Sequence, residues 1–169
     1  MNLYPDLYCE NITKIDEKVL KDNDIRALIL DVDNTLLDFD LKFLEGLKEW
    51  YDTTIKNNGI KCIILSNSNK EKKVKMAAEL LGVDYIKFAT KPLKRGFKKA
   101  IKALENVPNE NIAVIGDQIF TDVIGANRMK MFSILVKPLG EKDIWMTKVK
   151  RPMENWVIKR YLKKQGNNK

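Results

Sequence analysis

Short apolar runs alternate with helical repeats along residues 26–136 of the sequence. A continuously apolar run bounded by polar residues is typical of a strand buried on both faces of a parallel sheet. Such runs predict strands at residues 27–30, 60–65, 85–88, 111–115 and 132–136. Between the runs, apolar residues recur at helical spacing, as in Leu44, Leu47, Tyr51 and Ile55. The alternation predicts an α/β fold: a single Rossmann-like domain with a five-stranded, parallel, doubly wound sheet.

Capping and turn residues mark the ends of the predicted helices. Ser68 and Glu71 have the spacing of a capping box, and Gly82 is suited to end the helix that follows. Pro92 is suited to the first turn of the next helix. A last helix of the repeating pattern is predicted at about residues 121–130.

The two ends of the chain differ from this repeating pattern. Residues 1–25 are mixed in character and are interpreted as an irregular lead-in with one short helix, while residues 147–169 form a separate basic tail. Pro152 can open an amphipathic helix in this tail. Its apolar side comprises Met153, Val157, Ile158, Tyr161 and Leu162. We therefore divide the chain into a domain at residues 1–146 and a tail at 147–169.

Composition and charge narrow the classes of function. The chain has 169 residues, enough for one domain with its own core, and no histidine, which excludes imidazole as base or metal ligand. Cys9 and Cys62 have no paired spacing, so neither a disulfide framework nor a zinc ribbon is expected. The net charge is +8, of which the tail holds eight basic residues against the single acid Glu154. With no secretory leader or membrane span predicted, we expect a cytoplasmic protein.

Polar residues close four of the predicted strands. They are Asp31, Asp33 and Thr35, then Ser66 and Asn67, then Lys91, and finally Asp117 and Asp122. Ligands of open α/β sheets bind beyond the carboxyl ends of the strands, so these side chains are expected to meet in one crevice. Clustered carboxylates repel one another unless a cation lies among them. Since only oxygen ligands are available, the sequence predicts a hard cation such as Mg²⁺.

A cation site with a lysine and a Ser-Asn pair nearby is typical of a centre that binds and transfers phosphate. Lys91 can neutralise the phosphoryl oxygens, and Ser66 and Asn67 can hydrogen-bond to them. Asp31 is the candidate nucleophile, because an aspartate ionised at pH 7 needs no general base to attack phosphorus. Asp33, two residues later, can protonate the leaving oxygen and then deprotonate the hydrolytic water.

These residues resemble the four motifs of the haloacid dehalogenase-like (HAD) phosphatases, in order and one per strand end. The resemblance covers about residues 26–136, and Asn34 stands where many members carry glycine. It implies Asp31 as nucleophile, Asp33 as acid/base and backbone metal ligand, and Lys91 as charge clamp. It further implies Thr35 and Ser66 as positioners of the phosphate and leaving group, and Asp117 as a metal ligand. Asp122 is expected to orient either metal-bound water or Lys91. As a metal ligand it is therefore expected to act through a water molecule.

Neither of the insertions that usually form a cap in this family is present. The chain therefore resembles the capless subfamily IIIA, whose open crevice suits substrates that bring their own cover, such as a lipid headgroup at a membrane. The lead-in 3–6 and the forms of the first and fourth motifs resemble the YqeG-like group, related to phosphatidylglycerophosphate phosphatases. That resemblance implies a Mg²⁺-dependent phosphatase acting on phosphatidylglycerophosphate.

Three alternatives stay open for the substrate and the tail. The same chemistry can act on a soluble sugar, nucleotide or protein phosphate, or the chain can be a non-enzymatic domain that binds RNA or a protein. The tail can pack on the domain with its basic face solvated, dock on an anionic membrane, or contact nucleic acid. The sequence has no nucleic-acid recognition motif, so no specific nucleic-acid binding is expected. We expect peripheral contact with the inner face of the membrane.

Overall fold

The computed structural model describes residues 2–140 and 145–166, with side chains left out over 145–151. Its centre is a parallel sheet in the order β1-β6-β5-β2-β3-β4. The strands are β1 (Leu7–Cys9), β2 (Ala27–Leu30), β3 (Lys61–Leu65), β4 (Asp84–Ile86), β5 (Ile112–Gly116) and β6 (Phe132–Val136). The sheet confirms the predicted α/β class. β2 lies between β3 and β5, so the chain order reverses there, the place where open α/β sheets bind ligands.

The sheet has six strands, and the prediction of five is wrong by one edge strand. The additional strand, β1, belongs to the lead-in that the sequence suggested was irregular, and it pairs Tyr8 with Leu135 of β6. Just before it, the Asp6 carboxylate accepts hydrogen bonds from the backbone N–H and the hydroxyl of Ser133, both at 2.8 Å. Three half-buried residues are too few to show a strand period in the sequence.

Helices and helical turns connect the strands. They are a 3₁₀ turn (Ile12–Lys14), α1 (Glu17–Asp22), α2 (Leu47–Trp50) with a π-helical continuation (Tyr51–Lys56), α3 (Glu71–Leu81), α4 (Lys94–Ala103), a 3₁₀ turn (Asn109–Asn111), a π-helical turn (Ile119–Val123), α5 (Ile124–Met129) and α6 (Trp145–Gly166). The prediction of a capping box at the start of α3 is wrong. The N-cap residue is Lys70, whose side chain makes no capping hydrogen bond, and Ser68 Oγ accepts a hydrogen bond from Lys70 N. Gly82 ends α3 as predicted. Pro152 lies inside α6 rather than at its start.

Two apolar layers cover the sheet. Along β2, Leu28 and Leu30 belong to one buried cluster while Ala27 and Ile29 belong to the other, as expected for side chains that alternate between faces. Phe97 of α4, fully buried, fills the second layer. Both faces of β2 are thus dry, which explains its continuously apolar sequence.

The C-terminal helix α6 packs on the body through one side. Val157 is 2% exposed and belongs to a cluster with Ile119 and Leu135. Tyr161 lies with its ring centroid 6.3 Å from that of Tyr4. Only part of the predicted apolar side of the helix is therefore buried, because Met153 and Leu162 are exposed. Among the described residues, no helix combines the length and apolar character needed to cross a bilayer.

Candidate active site

Polar side chains from four loops meet at the carboxyl edge of the sheet. Asp31 directly follows β2, Ser66 follows β3, Lys91 follows β4 and Asp117 follows β5. Because all these strands are parallel, their carboxyl ends lie on one edge. The sheet itself therefore assembles the crevice expected from the sequence. Asp31, Ser66 and Asp117 come directly after their strands, and Lys91 lies five residues beyond Ile86.

Lys91 is the buried centre of the site. Its Nζ lies 2.6 Å from Asp31 Oδ1 and 2.7 Å from Asp122 Oδ1. All three residues are at most 6% exposed. An ammonium held between two carboxylates without water is strongly localised, because losing either partner leaves a buried charge uncompensated.

Asn67 holds the backbone of Lys91. Its Oδ1 accepts a 2.7 Å hydrogen bond from Lys91 N, and its Nδ2 donates to Lys91 O at 3.0 Å. Both polar ends of the amide are therefore engaged by one peptide segment. The sequence analysis placed Asn67 on the phosphate; the structure gives it the contacts of a residue that positions Lys91.

Asp122 is supported through its second oxygen. Asp122 Oδ2 accepts hydrogen bonds from Gln118 N and Thr121 Oγ1, both at 3.2 Å. Gly116 makes room for this carboxylate: a Cβ at Gly116 would lie 2.3 Å from Asp122 Cγ. The close approach of the Asp122 carboxylate thus requires a glycine at this position of the fourth motif. The contact between Asp122 and Lys91 corresponds to one of the two roles expected of Asp122, the orientation of Lys91.

Asp31, Asp117 and Asp122 form a buried acidic cluster in which one carboxylate oxygen of each lies within 4.8 Å of the others. The three carboxylates and the Lys91 ammonium together carry a formal charge of −2. Such charge is costly to bury without compensation. An all-oxygen ligand set with this charge fits a divalent hard cation such as Mg²⁺.

Burial dominates the acid–base behaviour of the cluster. It raises the pKa of Asp31 to about 7, although the adjacent Lys91 opposes the shift. The premise that Asp31 is fully ionised at pH 7 is therefore correct only when a further positive charge lies nearby. Burial alone would lower the pKa of Lys91, but the Asp122 and Asp31 carboxylates together raise it above its ordinary value.

Asp33 lies outside the acidic cluster with its carboxylate half-buried. Its Oδ1 pairs with the ammonium of Lys73, a residue of α3 that is 8% exposed. Sequence reasoning missed Lys73 because a lysine in a helix is usually solvated. The sequence did indicate that Lys73 is buried, because Lys73 lies beside Val74 and four residues before Ala77, on the buried side of α3.

Thr35 and Ser66 are fully buried hydroxyl residues beside the crevice. Among the described residues, Thr35 Oγ1 has no hydrogen-bond partner. Ser66 Oγ accepts from Ser68 N at 3.0 Å, which leaves its own proton available to donate. Asn34 adopts a left-handed conformation with φ of 57°, so the glycine-like turn of the first motif is kept.

A cavity of about 600 Å³ adjoins Asp117 and is lined in part by Glu154 and Asn155 of α6. Glu154 Oε1 accepts hydrogen bonds from Ile119 N at 2.9 Å and Phe120 N at 3.3 Å. These N–H groups begin the helical turn that carries Asp122. The tail's one acidic residue is therefore a helix cap for the loop of the fourth motif, a contact that the sequence alone did not reveal.

Comparison with known proteins extends the likeness beyond the motifs. A family model described as mitochondrial PGP phosphatase matches residues 1–139. The probable phosphatase YqeG of Bacillus subtilis (strain 168) is 37% identical over 164 residues, covering 96% of this chain and 93% of that protein. Phosphatidylglycerophosphate phosphatase 1, chloroplastic, of Chlamydomonas reinhardtii is 27% identical over 165 residues, covering 92% of this chain and 61% of that protein.

Solved structures share the fold. The crystal structure of an uncharacterized protein from Listeria monocytogenes serotype 4b superposes with a TM-score of 0.57 at 20% identity. The superposition covers 71% of this chain and 85% of that one. At this identity the likeness concerns the architecture of the chain.

Proposed function

Because the chain belongs to the mitochondrial PGP phosphatase family of HAD-type phosphatases, we propose that it hydrolyses the phosphate monoester of phosphatidylglycerophosphate at a membrane surface, through an aspartyl phosphate. It is a phosphatase by that membership. One observation carries the mechanism: the buried Lys91 ammonium bridges Asp31 and Asp122 next to Asp117. That arrangement pairs a nucleophile with the positive charge that phosphoryl transfer needs.

The first step is attack by Asp31 on phosphorus. Lys91 holds Asp31 Oδ1, so the attacking carboxylate is fixed in orientation before the substrate arrives. A carboxylate oxygen of Asp31 forms a bond to phosphorus, and the bond from phosphorus to the leaving alcohol oxygen breaks. Asp33, whose carboxylate pairs with Lys73 before the reaction, first takes up a proton from solvent; it then gives that proton to the leaving oxygen, so the alcohol leaves neutral.

The second step returns the enzyme to its starting state. Asp33, now ionised, takes a proton from water as the water oxygen attacks phosphorus. The bond between phosphorus and Asp31 breaks, which releases inorganic phosphate and restores the carboxylate. We assign Thr35 and Ser66 to the phosphoryl oxygens, because Thr35 follows Asp31 by four residues, Ser66 follows the neighbouring strand β3, and both buried hydroxyls have a proton to donate.

Mg²⁺ is the proposed cofactor, held by the carboxylates of Asp31, Asp117 and Asp122. Asp122 acts through water, since one of its oxygens supports Lys91 and the other accepts from Gln118 N. Asp33 contributes its backbone carbonyl, because Lys73 engages its side chain. An ion held there would neutralise phosphoryl charge and lower the pKa of Asp31.

The lipid substrate is proposed from the family and from the open crevice. An open site excludes water poorly, and a bilayer surface supplies the missing cover. We propose action at the inner face of the membrane by a cytoplasmic protein. We also retain the division into a domain at residues 1–146 and a tail at 147–169, with the tail supporting the domain through Glu154 and Val157.

A phosphate-release screen tests this function. Phosphatidylglycerophosphate in vesicles is compared with soluble sugar, nucleotide and phosphoprotein substrates, all with Mg²⁺, and the Asp31→Asn variant serves as the blank. We expect the lipid to give the highest kcat/KM. A soluble substrate that exceeds the lipid would assign the same chemistry to that substrate class, and release of phosphate by Asp31→Asn would reject the mechanism.

A further inference from the structure

Exposed apolar side chains are concentrated around the crevice. Four of the seven large hydrophobic residues that are exposed in the described chain lie in loops at the carboxyl edge of the sheet, and the other three lie on α6. The four are Phe39, Leu41, Phe88 and Leu93, which we call the rim. Their exposed fractions run from 38% to 57%.

A chain of contacts connects the two aromatic residues of the rim. Phe39 follows the first motif, and Lys70 Nζ lies 5.7 Å from the centre of its ring. The next residue, Glu71, pairs with Lys87 at 2.6 Å, and Lys87 Nζ lies 5.6 Å from the ring of Phe88. The contacts therefore join the loops that follow β2, β3 and β4 into a single border of the active site.

Two rim residues have a left-handed backbone conformation. Leu41 has a φ of 64° and Phe88 a φ of 49°. Left-handed backbone is unfavourable for bulky side chains, and it is retained where the surroundings or the function require it. Among the described non-glycine residues with positive φ, these are the two with large apolar side chains, and both are exposed.

The rim carries ammonium groups that can meet an anionic surface. Lys42, Lys70 and Lys94 are exposed and Lys87 is half-buried, while the acids Asp38, Asp40 and Glu71 lie in the same segments. Lysine stems with aromatic rings form the composition that enters the headgroup region of a bilayer, where apolar groups are buried and ammonium groups meet lipid phosphates. Scattered hydrophobic residues need no explanation, but a connected patch bordering an active site marks an interaction surface.

Docking on an anionic membrane was one of three alternatives left open for the C-terminal tail, and the contacts of α6 bear on it. The middle of α6 lies near the crevice, where Glu154 contacts Ile119 N. Its C-terminal half passes the start of β1, where the Tyr161 hydroxyl reaches Asp6 O. Because β1 is parallel to the other strands, Lys159, Lys163 and Lys164 descend toward the amino edge, away from the crevice.

We propose that the rim, and not α6, docks the enzyme on an anionic bilayer and so presents the crevice to a phosphate ester in the membrane. The inference rests on the proposed lipid substrate and adds the surface that reaches it. A bilayer is favoured as the occupant because the rim combines apolar tips with ammonium groups around an opening that must itself face the substrate.

Vesicle cosedimentation of the full chain tests the proposal without any turnover. The rim variant Phe39→Ser/Phe88→Ser is compared with the matched α6 variant Met153→Ser/Leu162→Ser, using phosphatidylglycerol–phosphatidylcholine vesicles and pure phosphatidylcholine vesicles. We expect the wild type to prefer the anionic vesicles and the rim variant to bind them at least tenfold more weakly, about the loss expected from one partly buried phenylalanine. The α6 variant should bind like the wild type.

Two results would overturn the inference. One is equal vesicle binding by the rim variant and the wild type, and the other is loss of binding in the α6 variant alone. Hydrolysis provides the second readout: the rim variant should lose activity on vesicle-borne phosphatidylglycerophosphate and keep it on a soluble phosphate. Because cosedimentation needs no substrate, the docking surface can fail while the phosphatase activity stands, and the two failures are distinguishable.

Discussion

Replacing Asp117 with asparagine tests the charge balance of the acidic cluster. Each pair of carboxylates at 4.8 Å repels by about 3 kcal/mol at an effective dielectric constant of 20. Above about pH 7, where Asp31 is ionised, Asp117→Asn removes the repulsion of Asp117 by Asp31 and Asp122, which Lys91 and other groups around Asp117 offset in part. In EDTA we therefore expect the variant to be more stable than the wild type by about 2–3 kcal/mol, or roughly 5–10 °C in Tm.

Magnesium should reverse this order. An ion that binds the folded state at one hundred times its Kd stabilises it by about 2.7 kcal/mol, which raises the wild-type Tm by roughly 5–10 °C. The variant lacks a ligand and should gain less than about 2 °C. Thermal melts by circular dichroism, in EDTA and in Mg²⁺, measure both effects.

The matched control is Asp84→Asn, which makes the same charge change at an exposed position on β4. It should leave both the Tm in EDTA and the response to Mg²⁺ within about 1 °C of the wild type. The reasoning is refuted if Asp117→Asn melts below the wild type in EDTA, or if Mg²⁺ raises the Tm of both proteins equally.

Three further predictions follow from the contacts of the site and the tail. Asn67→Ala removes both hydrogen bonds to the Lys91 backbone, and we expect kcat to fall roughly tenfold to a hundredfold with the fold intact; wild-type kcat would show that Asn67 does not position Lys91. The raised pKa of Asp31 means that protons compete with Mg²⁺ below about pH 7, so the Tm gain from Mg²⁺ should be larger at pH 8 than at pH 6; an equal gain at both values would contradict this. Glu154→Ala breaks the cap on the turn of Asp122 and should lower the Tm and kcat on soluble and lipid substrates alike; a loss confined to the lipid would instead give α6 a role in membrane contact.

The pH dependence of folding stability has a definite sign. A carboxyl whose pKa is raised by folding favours the folded state while it is protonated. In EDTA, the contribution of Asp31 should therefore stabilise the protein near pH 4 and be lost as the pH rises toward about 7. Mg²⁺ compensates the ionised form, so this loss should shrink when the ion is bound.

The sequence predicts the site well because its residues follow directly from strand ends. Asp31 and Asp117 each come immediately after a buried apolar run, and parallel strands bring such positions together without any knowledge of side-chain packing. The α/β fold followed from the same alternation of apolar runs and helical repeats.

The parts that sequence reasoning missed depend on contacts between distant segments. Lys73 meets Asp33 across 40 positions, and Glu154 meets Ile119 across 35. The edge strand β1 is defined by its pairing with β6 rather than by its own period. Such features arise from tertiary packing, which local patterns record only weakly.

The most direct test of the central claim is detection of phosphate on Asp31. The Asp33→Asn variant, slowed in hydrolysis of the intermediate, is mixed with radiolabelled substrate and Mg²⁺, quenched in acid and digested with pepsin at acid pH, where an acyl phosphate survives. We predict label on the peptide that contains Asp31, localised by fragmentation to Asp31, and no label in the Asp31→Asn variant. Phosphate release by the wild type with no label on this peptide, together with activity retained by Asp31→Asn, would contradict the covalent mechanism.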